Sequence, residues 1–202
     1  MPILETALPL LLLWALIGYG LGSIPFGMVI AKAMGLGNLR QIGSGNIGAT
    51  NVLRTGSKKA AFLTLVLDGG KGAVAVLLAR LLAPEDAVQV AGFAAFIGHC
   101  YPVWLKFKGG KGVATFLGLW LALAWPVGVA CCLTWLVTAL VTRISSLSAL
   151  VAAAASTIWI VFLTNGAALL MGILLTLLVY WRHRENLARI KAGTEPRIGK
   201  KS

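Results

Sequence analysis

Residues 69–72 and residues 109–112 carry the same sequence, Gly-Gly-Lys-Gly. Glycines at the start of a helix expose backbone N–H groups, and an adjacent lysine adds positive charge, so this pattern suits a phosphate or carboxylate ligand. Close packing of helices through small residues is the alternative. Neither copy is an ATP-binding P-loop, because Gly72 and Gly112 stand where that motif needs a Mg²⁺-binding Ser or Thr. The pattern therefore indicates an anion site without ATP hydrolysis.

Residues 40–54, which we call the first loop, also have binding chemistry, since they combine glycines, small hydroxyls, amides and two arginines. Arginine matches a pair of anionic oxygens, and Ser, Thr and Asn can complete the coordination of a phosphate. A positive loop that only touches lipid headgroups is the alternative. The density of hydrogen-bonding groups favours a binding loop over a connector.

A few isolated polar residues lie in or beside apolar runs. Asp68 and Lys71 are three residues apart on one helix face, and we expect them to pair because an unpaired charge there is costly. The sequence leaves open whether this pair and His99 are structural or contact a substrate. His183 and Asn186 share a face where the last apolar run ends, which favours a site over routine interfacial basic residues.

The composition indicates that the protein lies in a membrane and not in water. Its residues are 58% apolar and 12% charged, against about 25% charged in soluble domains. The 18 Lys and Arg against 6 Asp and Glu would suggest nucleic acid in a soluble protein, but in a membrane protein they first report topology. We therefore expect no nucleic-acid partner. The three cysteines offer neither a disulfide framework nor a metal-ligand spacing, and we expect no metal and no cofactor.

The apolar runs predict an all-α integral membrane protein with seven transmembrane helices in one domain, residues 1–202. Trp125-Pro126 and Asn165-Gly166 divide two runs that are too long for one span each. The first run has no basic segment before it and no cleavage motif, so we interpret it as a span and not a signal peptide. The predicted spans are near 8–30, 60–82, 87–105, 113–125, 127–142, 147–163 and 166–181, with a cytoplasmic tail at 182–202.

Positive charge is unevenly placed along the chain. Most of the 18 basic residues fall between the first and second spans, between the third and fourth, or in the tail. Because basic loops stay on the cytoplasmic side, we expect the N-terminus outside and the C-terminus in the cytoplasm. Both glycine-rich stretches then lead away from the cytoplasmic face.

Several longer motifs resemble, in the same order, those of the bacterial acyl-phosphate-dependent glycerol-3-phosphate acyltransferase family, PlsY. They are Gly-Ser-Ile-Pro-Phe-Gly at 22–27, the segment 43–54, Leu-Asp-x-x-Lys-Gly at 67–72, Gly-His-x-x-Pro at 98–102 with the segment 107–115, and His-Arg-Glu-Asn at 183–186. The resemblance covers most of the chain. It implies a seven-span fold with the N-terminus outside, which agrees with the charge distribution.

The resemblance also implies an activity, the first step of phospholipid synthesis. A fatty acyl group passes from acyl phosphate to glycerol 3-phosphate, giving lysophosphatidic acid and inorganic phosphate, and family mechanisms invoke the substrate's own phosphate as base. The implied catalytic residues, which we expect mainly to position substrates and stabilise charge, are Ser44, Arg54, Lys111, His183 and Asn186. The expected substrate-binding residues are Gly43, Gly45, Asn46, Thr50, Asn51, Lys71, His99, Gly109, Gly110, Gly112 and Ser146, with Ser145 as the alternative to Ser146.

The expected partners are the two phosphate substrates and the lipids of the bacterial inner membrane, with the active site on the cytoplasmic side. A soluble enzyme that makes the acyl phosphate is a further candidate at the basic face. Other acyltransferases with this acceptor use a His-x-x-x-x-Asp pair, but Trp104 and Ala188 stand five residues after the two histidines, which disfavours an acyl-CoA donor. The rival functions are an anion transporter or channel, which predicts flux without chemistry, and a scaffold for soluble lipid enzymes.

Overall fold

A computed structural model describes residues 5–199, and within that range the chain forms α-helices, two short 3₁₀ turns and connecting loops. The prediction of an all-α fold is confirmed for this part of the chain. The helices are α1 (Leu8–Gly22), α2 (Phe26–Ala33), α3 (Ala49–Leu53), α4 (Lys58–Leu82), α5 (Glu85–Cys100), α6 (Val113–Leu123), α7 (Trp125–Thr142), α8 (Ser145–Thr164), α9 (Leu169–Arg182) and α10 (Arg184–Lys191).

The described residues divide into two compact units. Residues 5–123, the N-terminal unit, contain α1 to α6, and residues 124–199, the C-terminal unit, contain α7 to α10. Each unit has its own helix packing.

Within residues 5–199, five segments are long and apolar enough to cross a bilayer. They are Leu8–Ala33, Lys58–Leu82, Glu85–Leu105, Trp125–Thr142 and Ser145–Thr164. Helices α6 and α9 are also apolar but have only 11 and 14 residues, fewer than the roughly 20 of a full span. The helices therefore have the lengths and composition of an integral membrane protein.

The breaks between helices have local causes. Ala124 separates α6 from α7, and Pro126 lies in the first turn of α7, where its missing N–H is tolerated. Helix α8 ends before Asn165, which has a left-handed backbone with φ of 52°. The second break is where the sequence predicted it, whereas the first lies just before the predicted Trp125-Pro126, which begins α7. The first apolar run contains an additional break before Pro25, which separates α1 from α2.

In the N-terminal unit, α5 packs against α1 and α4, and α4 packs against α6. Glycines permit the close approach of α1 to α5. A Cβ at Gly18 would lie 2.1 Å from the Ala91 oxygen, and one at Gly22 would lie 2.0 Å from the Ala95 oxygen. Small residues on both helices thus bring the backbones together, as is usual between membrane helices.

The first Gly-Gly-Lys-Gly copy lies inside α4, so the expectation that it opens a helix is wrong. A Cβ at Gly69 would lie 3.3 Å from the Ala114 oxygen, and one at Gly72 would lie 2.8 Å from the Thr115 oxygen. On α6, a Cβ at Gly118 would lie 2.1 Å from the Gly69 oxygen. These glycines therefore serve the close packing of α4 on α6, which is the alternative that the sequence left open.

In the C-terminal unit, α8 packs against α7 and α9. Trp159 Nε1 donates to Thr134 Oγ1 over 3.1 Å, and Thr176 Oγ1 donates to the Ala153 oxygen over 2.8 Å. Hydrogen bonds between helices thus supplement the apolar contacts of this unit.

Candidate functional site

The first loop is organised around the side chain of Asn51, which is 2% exposed. Its Nδ2 donates to the backbone oxygens of Leu39 and Asn46, over 3.0 and 2.7 Å. Its Oδ1 accepts from the backbone N–H of Ser44 at 3.1 Å and from Arg54 Nη1 at 3.3 Å. Because both the nitrogen and the oxygen of the amide make these bonds, the buried Asn51 side chain holds the first loop in its conformation.

Gly43 lets the Arg54 side chain lie against the turn of the first loop. Its φ of 52° is in the left-handed region that favours glycine. A Cβ there would lie 2.5 Å from Arg54 Cδ and 2.7 Å from Arg54 Nη1. Ser44 and Arg54 are both exposed, and both bond to the same oxygen of Asn51. The loop therefore presents a hydroxyl and a guanidinium close together at the surface.

The second Gly-Gly-Lys-Gly copy lies in the connection between α5 and α6, residues 101–112, which we call the second loop. Its chain reverses at Lys106 and Phe107, which both have left-handed backbones with φ of 51° and 60°. This conformation costs a residue with a Cβ about 1–3 kcal/mol and occurs often at functional sites. The second loop thus contains backbone strain just before its glycines.

After the reversal, the second loop pairs with the end of α5. The Gly109 N–H donates to the Cys100 oxygen over 3.1 Å, and the Gly110 N–H donates to the His99 oxygen over 3.0 Å. A Cβ at Gly109 would lie 2.2 Å from the His99 oxygen, and one at Gly110 would lie 2.1 Å from His99 Nε2. Neither position has room for a side chain.

Lys111 and Gly112 lead from the second loop into α6. Lys111 is half-buried. Gly112 has φ of 81°, a Cβ there would lie 2.3 Å from the Phe96 ring, and its oxygen accepts the Phe116 N–H at 2.7 Å. This second copy does precede a helix, whose unpaired N–H groups and dipole favour an anion.

Arg40 joins the two loops. Its Nη2 donates to the Lys108 oxygen, and its Nη1 donates to the Gly45 oxygen over 3.3 Å. Gly45 has φ of 66°, and a Cβ there would lie 3.1 Å from the Arg40 oxygen. The structure thus brings the first loop next to the second. The sequence placed Arg40 in the first loop but gave it no role, because its partner on the second loop is distant in the chain.

Three ionisable side chains meet next to the second loop, in the apolar interior of the N-terminal unit. Lys71 Nζ lies 2.9 Å from Asp68 Oδ1, and His99 Nδ1 lies 3.7 Å from the same oxygen. Lys71 Nζ also donates to the Ile24 oxygen over 2.7 Å. None of the three side chains is more than 5% exposed. The expected pairing of Asp68 with Lys71 is confirmed.

In the C-terminal unit, the carboxylate of Glu195 gathers three donors. It accepts from Ser146 Oγ at 2.7 Å, from Asn186 Nδ2 at 2.5 Å and from Arg189 Nε at 2.7 Å. Partial burial alone would raise the pKa of Glu195, but these hydrogen bonds outweigh it and hold the pKa below its usual value. Glu195 is therefore ionised at neutral pH and fixes two of the predicted site residues.

The tail that carries Glu195 returns to the connection between α7 and α8. The Ile198 N–H donates to the Arg143 oxygen over 2.7 Å, and Arg143 has a left-handed backbone with φ of 58°. Sequence reasoning missed Glu195 because its bond to Asn186 spans nine residues and follows no helical periodicity. An acid in a largely basic tail was the available signal.

His183 lies at the junction of α9 and α10 and is 2% exposed. Its Nδ1 lies 2.8 Å from the Val179 oxygen, and Nδ1 must carry the hydrogen because a carbonyl oxygen only accepts. The helix is interrupted at His183 itself, which caps the start of α10, and Asn186 lies in the first turn of that helix; both side chains are buried.

The predicted site residues fall into two groups, one in each unit. The N-terminal group is Gly43, Ser44, Gly45, Asn46, Thr50, Asn51, Arg54, Lys71, His99, Gly109, Gly110, Lys111 and Gly112. The C-terminal group is Ser146, His183 and Asn186.

Comparison with known proteins gives consistent matches over nearly the whole chain. The profile of the family described as glycerol-3-phosphate acyltransferase matches residues 12–193. The chain is 73% identical over 202 residues to the protein of that name from Ruegeria pomeroyi, with both chains fully covered. It is 67% identical over 198 residues to the one from Roseobacter denitrificans, covering 98% of this chain and 99% of that protein.

Two solved structures also match. A crystal structure of PlsY (YgiH), an integral membrane glycerol 3-phosphate acyltransferase in its glycerol 3-phosphate form, gives a TM-score of 0.88 at 39% identity, covering 94% of this chain and 96% of that chain. The lysophosphatidic acid form gives a TM-score of 0.84 at 37% identity, covering 94% and 95%.

An apolar helical fold with basic, glycine-rich loops defines an integral membrane protein suited to anionic ligands. The chain belongs to the glycerol-3-phosphate acyltransferase family, which confirms the resemblance of its motifs. It is thereby a membrane acyltransferase of phospholipid synthesis.

Proposed function

We propose that this protein transfers a fatty acyl group from acyl phosphate to glycerol 3-phosphate and releases lysophosphatidic acid and inorganic phosphate. The observation that carries the proposal is the similarity to PlsY, which has been crystallised in a glycerol 3-phosphate form and a lysophosphatidic acid form. The acceptor and the product follow from these two ligands. The acyl phosphate donor is supported by the motifs and by the missing His-x-x-x-x-Asp pair.

The reaction needs little chemistry from the protein itself. A hydroxyl oxygen of glycerol 3-phosphate forms a bond to the acyl carbon, the bond from that carbon to the phosphate oxygen breaks, and the hydroxyl proton leaves on the released phosphate. Acyl phosphate is already activated, so no strong general base is required. The main obstacle is repulsion between two phosphate anions, which nearby cations must offset.

The loops of the N-terminal unit are suited to this task. Arg54 and Ser44 are exposed on the first loop, and Arg40 ties that loop to the second, which carries Lys111 at the start of α6. We assign the glycerol 3-phosphate to the second loop and Lys111. We also assign His183 and Asn186, in the C-terminal unit, to the catalytic residues. The substrate-binding residues are those predicted from the sequence, except Lys71 and His99, which are buried against Asp68.

The proposal includes the membrane arrangement. Helices α6 and α9 serve as short spans beside the five longer segments, so that seven spans form one membrane domain with the N-terminus outside. The basic loops and the tail then face the cytoplasm at the bacterial inner membrane. A soluble enzyme that makes acyl phosphate is a candidate partner at that face.

The test uses purified protein in detergent or lipid with acyl phosphate and glycerol 3-phosphate. We expect phosphate release and lysophosphatidic acid in equal amounts, both dependent on glycerol 3-phosphate. Product from acyl-CoA but not from acyl phosphate would overturn the donor. Phosphate flux into liposomes without any product would favour the anion-channel alternative.

A further inference from the structure

The charged cluster of Asp68, Lys71 and His99 is unusual because it lies inside apolar helices yet beside a loop. Asp68 and Lys71 are near the middle of α4, and His99 is the penultimate residue of α5. Buried charges within membrane helices are costly and are kept mainly for function. The cluster therefore needs an explanation beyond helix packing.

The imidazole of His99 lies between Asp68 and the second loop. Its Nδ1 side faces Asp68 Oδ1 at 3.7 Å, and its Nε2 side faces Gly110 so closely that a Cβ there would lie 2.1 Å away. The backbone oxygen of His99 accepts the Gly110 N–H at 3.0 Å. The ring of His99 therefore lies directly beside Gly110, and the backbone of His99 binds the same residue.

Lys71 is committed to protein partners. Its Nζ contacts Asp68 Oδ1 and the Ile24 oxygen, and Ile24 precedes the proline that separates α1 from α2. The neighbouring Ser23 oxygen accepts Trp104 Nε1 at 2.7 Å, and Trp104 belongs to the second loop. The break between α1 and α2 is therefore tied to α4 through Lys71 and to the second loop through Trp104.

We propose that Asp68 and His99 are positioning residues that hold the second loop in the conformation that binds the phosphate of glycerol 3-phosphate, and that Lys71 supplies the counter-charge of Asp68. This inference rests on the proposed function, which assigns glycerol 3-phosphate to that loop. It gives Lys71 and His99 a supporting role in place of the substrate contact predicted from the sequence. Asp68 fixes the His99 ring, and the ring fixes Gly110, next to Lys111.

The primary test variant is His99→Ala, because it removes the ring and leaves the Asp68–Lys71 pair intact. We expect the KM for glycerol 3-phosphate to rise about tenfold or more while the KM for acyl phosphate stays within about twofold. Asp68→Asn should also raise the KM for glycerol 3-phosphate. If Asp68→Asn does not accumulate, because it leaves Lys71 buried without a counter-charge, His99→Ala and His99→Asn decide the question.

Hydrogen exchange of the substrate-free enzyme separates positioning from substrate contact. In His99→Ala we expect faster exchange at the amides of Gly109 and Gly110, which pair with the end of α5. A higher KM for glycerol 3-phosphate with unchanged exchange would mean that His99 contacts the substrate and would overturn the proposal.

Asp86→Asn is the matched control for loss of a buried carboxylate. Asp86 is 3% exposed and accepts from the backbone N–H groups of Glu5 and Thr6, away from the second loop. We expect it to change the melting temperature but neither KM.

If His99→Ala changed both KM values together, as general destabilisation would, the proposal would fail. Absence of lysophosphatidic acid from the wild type would instead refute the proposed function, and the exchange measurement would still report on the loop.

Discussion

The two Gly-Gly-Lys-Gly copies have identical residues but lie in different surroundings. Residues 69–72 lie inside α4, where the glycines pack against α6 and Lys71 is paired with Asp68. Residues 109–112 form the end of a loop, where Gly112 has a positive φ and Lys111 is half-buried before α6. The difference shows that the residues on either side of this pattern determine whether it lies in a helix or in a loop. A long apolar run continues through the first copy, whereas the second follows a proline and a strained chain reversal.

The largest expected effects come from replacing the two lysines. Lys111→Ala should lower kcat/KM for glycerol 3-phosphate by about 100- to 1,000-fold, because a charge that offsets phosphate repulsion is lost. Lys71→Ala should instead destabilise the protein by about 3–5 kcal/mol, because Asp68 is left buried without its partner. Steady-state kinetics and thermal unfolding in detergent measure the two effects.

The double variant Asp68→Ala/Lys71→Ala controls for this interpretation. Removing both charges leaves no buried unpaired ion, so the double variant should melt above the single Lys71→Ala variant. If Lys111→Ala left the dependence on glycerol 3-phosphate unchanged, the assignment of that lysine would be wrong.

Substitution of the last glycine in each copy distinguishes an effect on loop conformation from an effect on helix packing. Gly112→Ala should lower kcat/KM for glycerol 3-phosphate by about tenfold or more, because alanine is strained at φ of 81° and its Cβ meets the Phe96 ring. The equivalent Gly72→Ala should mainly lower the melting temperature, since its Cβ would press on the Thr115 oxygen at 2.8 Å. Equal kinetic effects from the two substitutions would contradict different roles for the two copies.

A smaller, pH-dependent effect on stability is expected at Glu195, which binds the predicted site residues Ser146 and Asn186. Its pKa is lowered in the folded protein, so ionised Glu195 contributes stability above its ordinary pKa of 4.5, and that stability is lost as pH falls through the folded-state value. Glu195→Gln should therefore melt a few degrees below the wild type at neutral pH, and the gap should close in acid.

If the gap between wild type and Glu195→Gln were the same at neutral and acid pH, the carboxylate charge would not be what holds Ser146 and Asn186. Thermal unfolding across the pH range decides this without any assay of activity.

The sequence predicted the parts of this molecule that depend on local chemistry. Apolar runs, the break next to Trp125-Pro126 and the break at Asn165 follow from composition and backbone preference, and the Asp68–Lys71 pair follows from helical spacing. The break before Pro25 was missed because the apolar run continues through it. The contacts of Arg40 with Lys108 and of Glu195 with Ser146 join residues far apart in the chain, so no periodicity could reveal them.

The smallest expected effect is that of Gly70→Ala, because this position lies inside α4 and an added Cβ would contact no other residue. A Cβ at Gly70 would meet nothing within 4 Å, whereas a Cβ at the equivalent Gly110 would lie 2.1 Å from His99 Nε2. Alanine is also a better helix former than glycine, so Gly70→Ala should change stability by no more than about 1 kcal/mol, in the stabilising direction. Both KM values should stay at the wild-type level, while Gly110→Ala should raise the KM for glycerol 3-phosphate. A loss of glycerol 3-phosphate binding in Gly70→Ala would mean that the first copy contacts substrate after all, and that its place inside α4 does not limit it to packing.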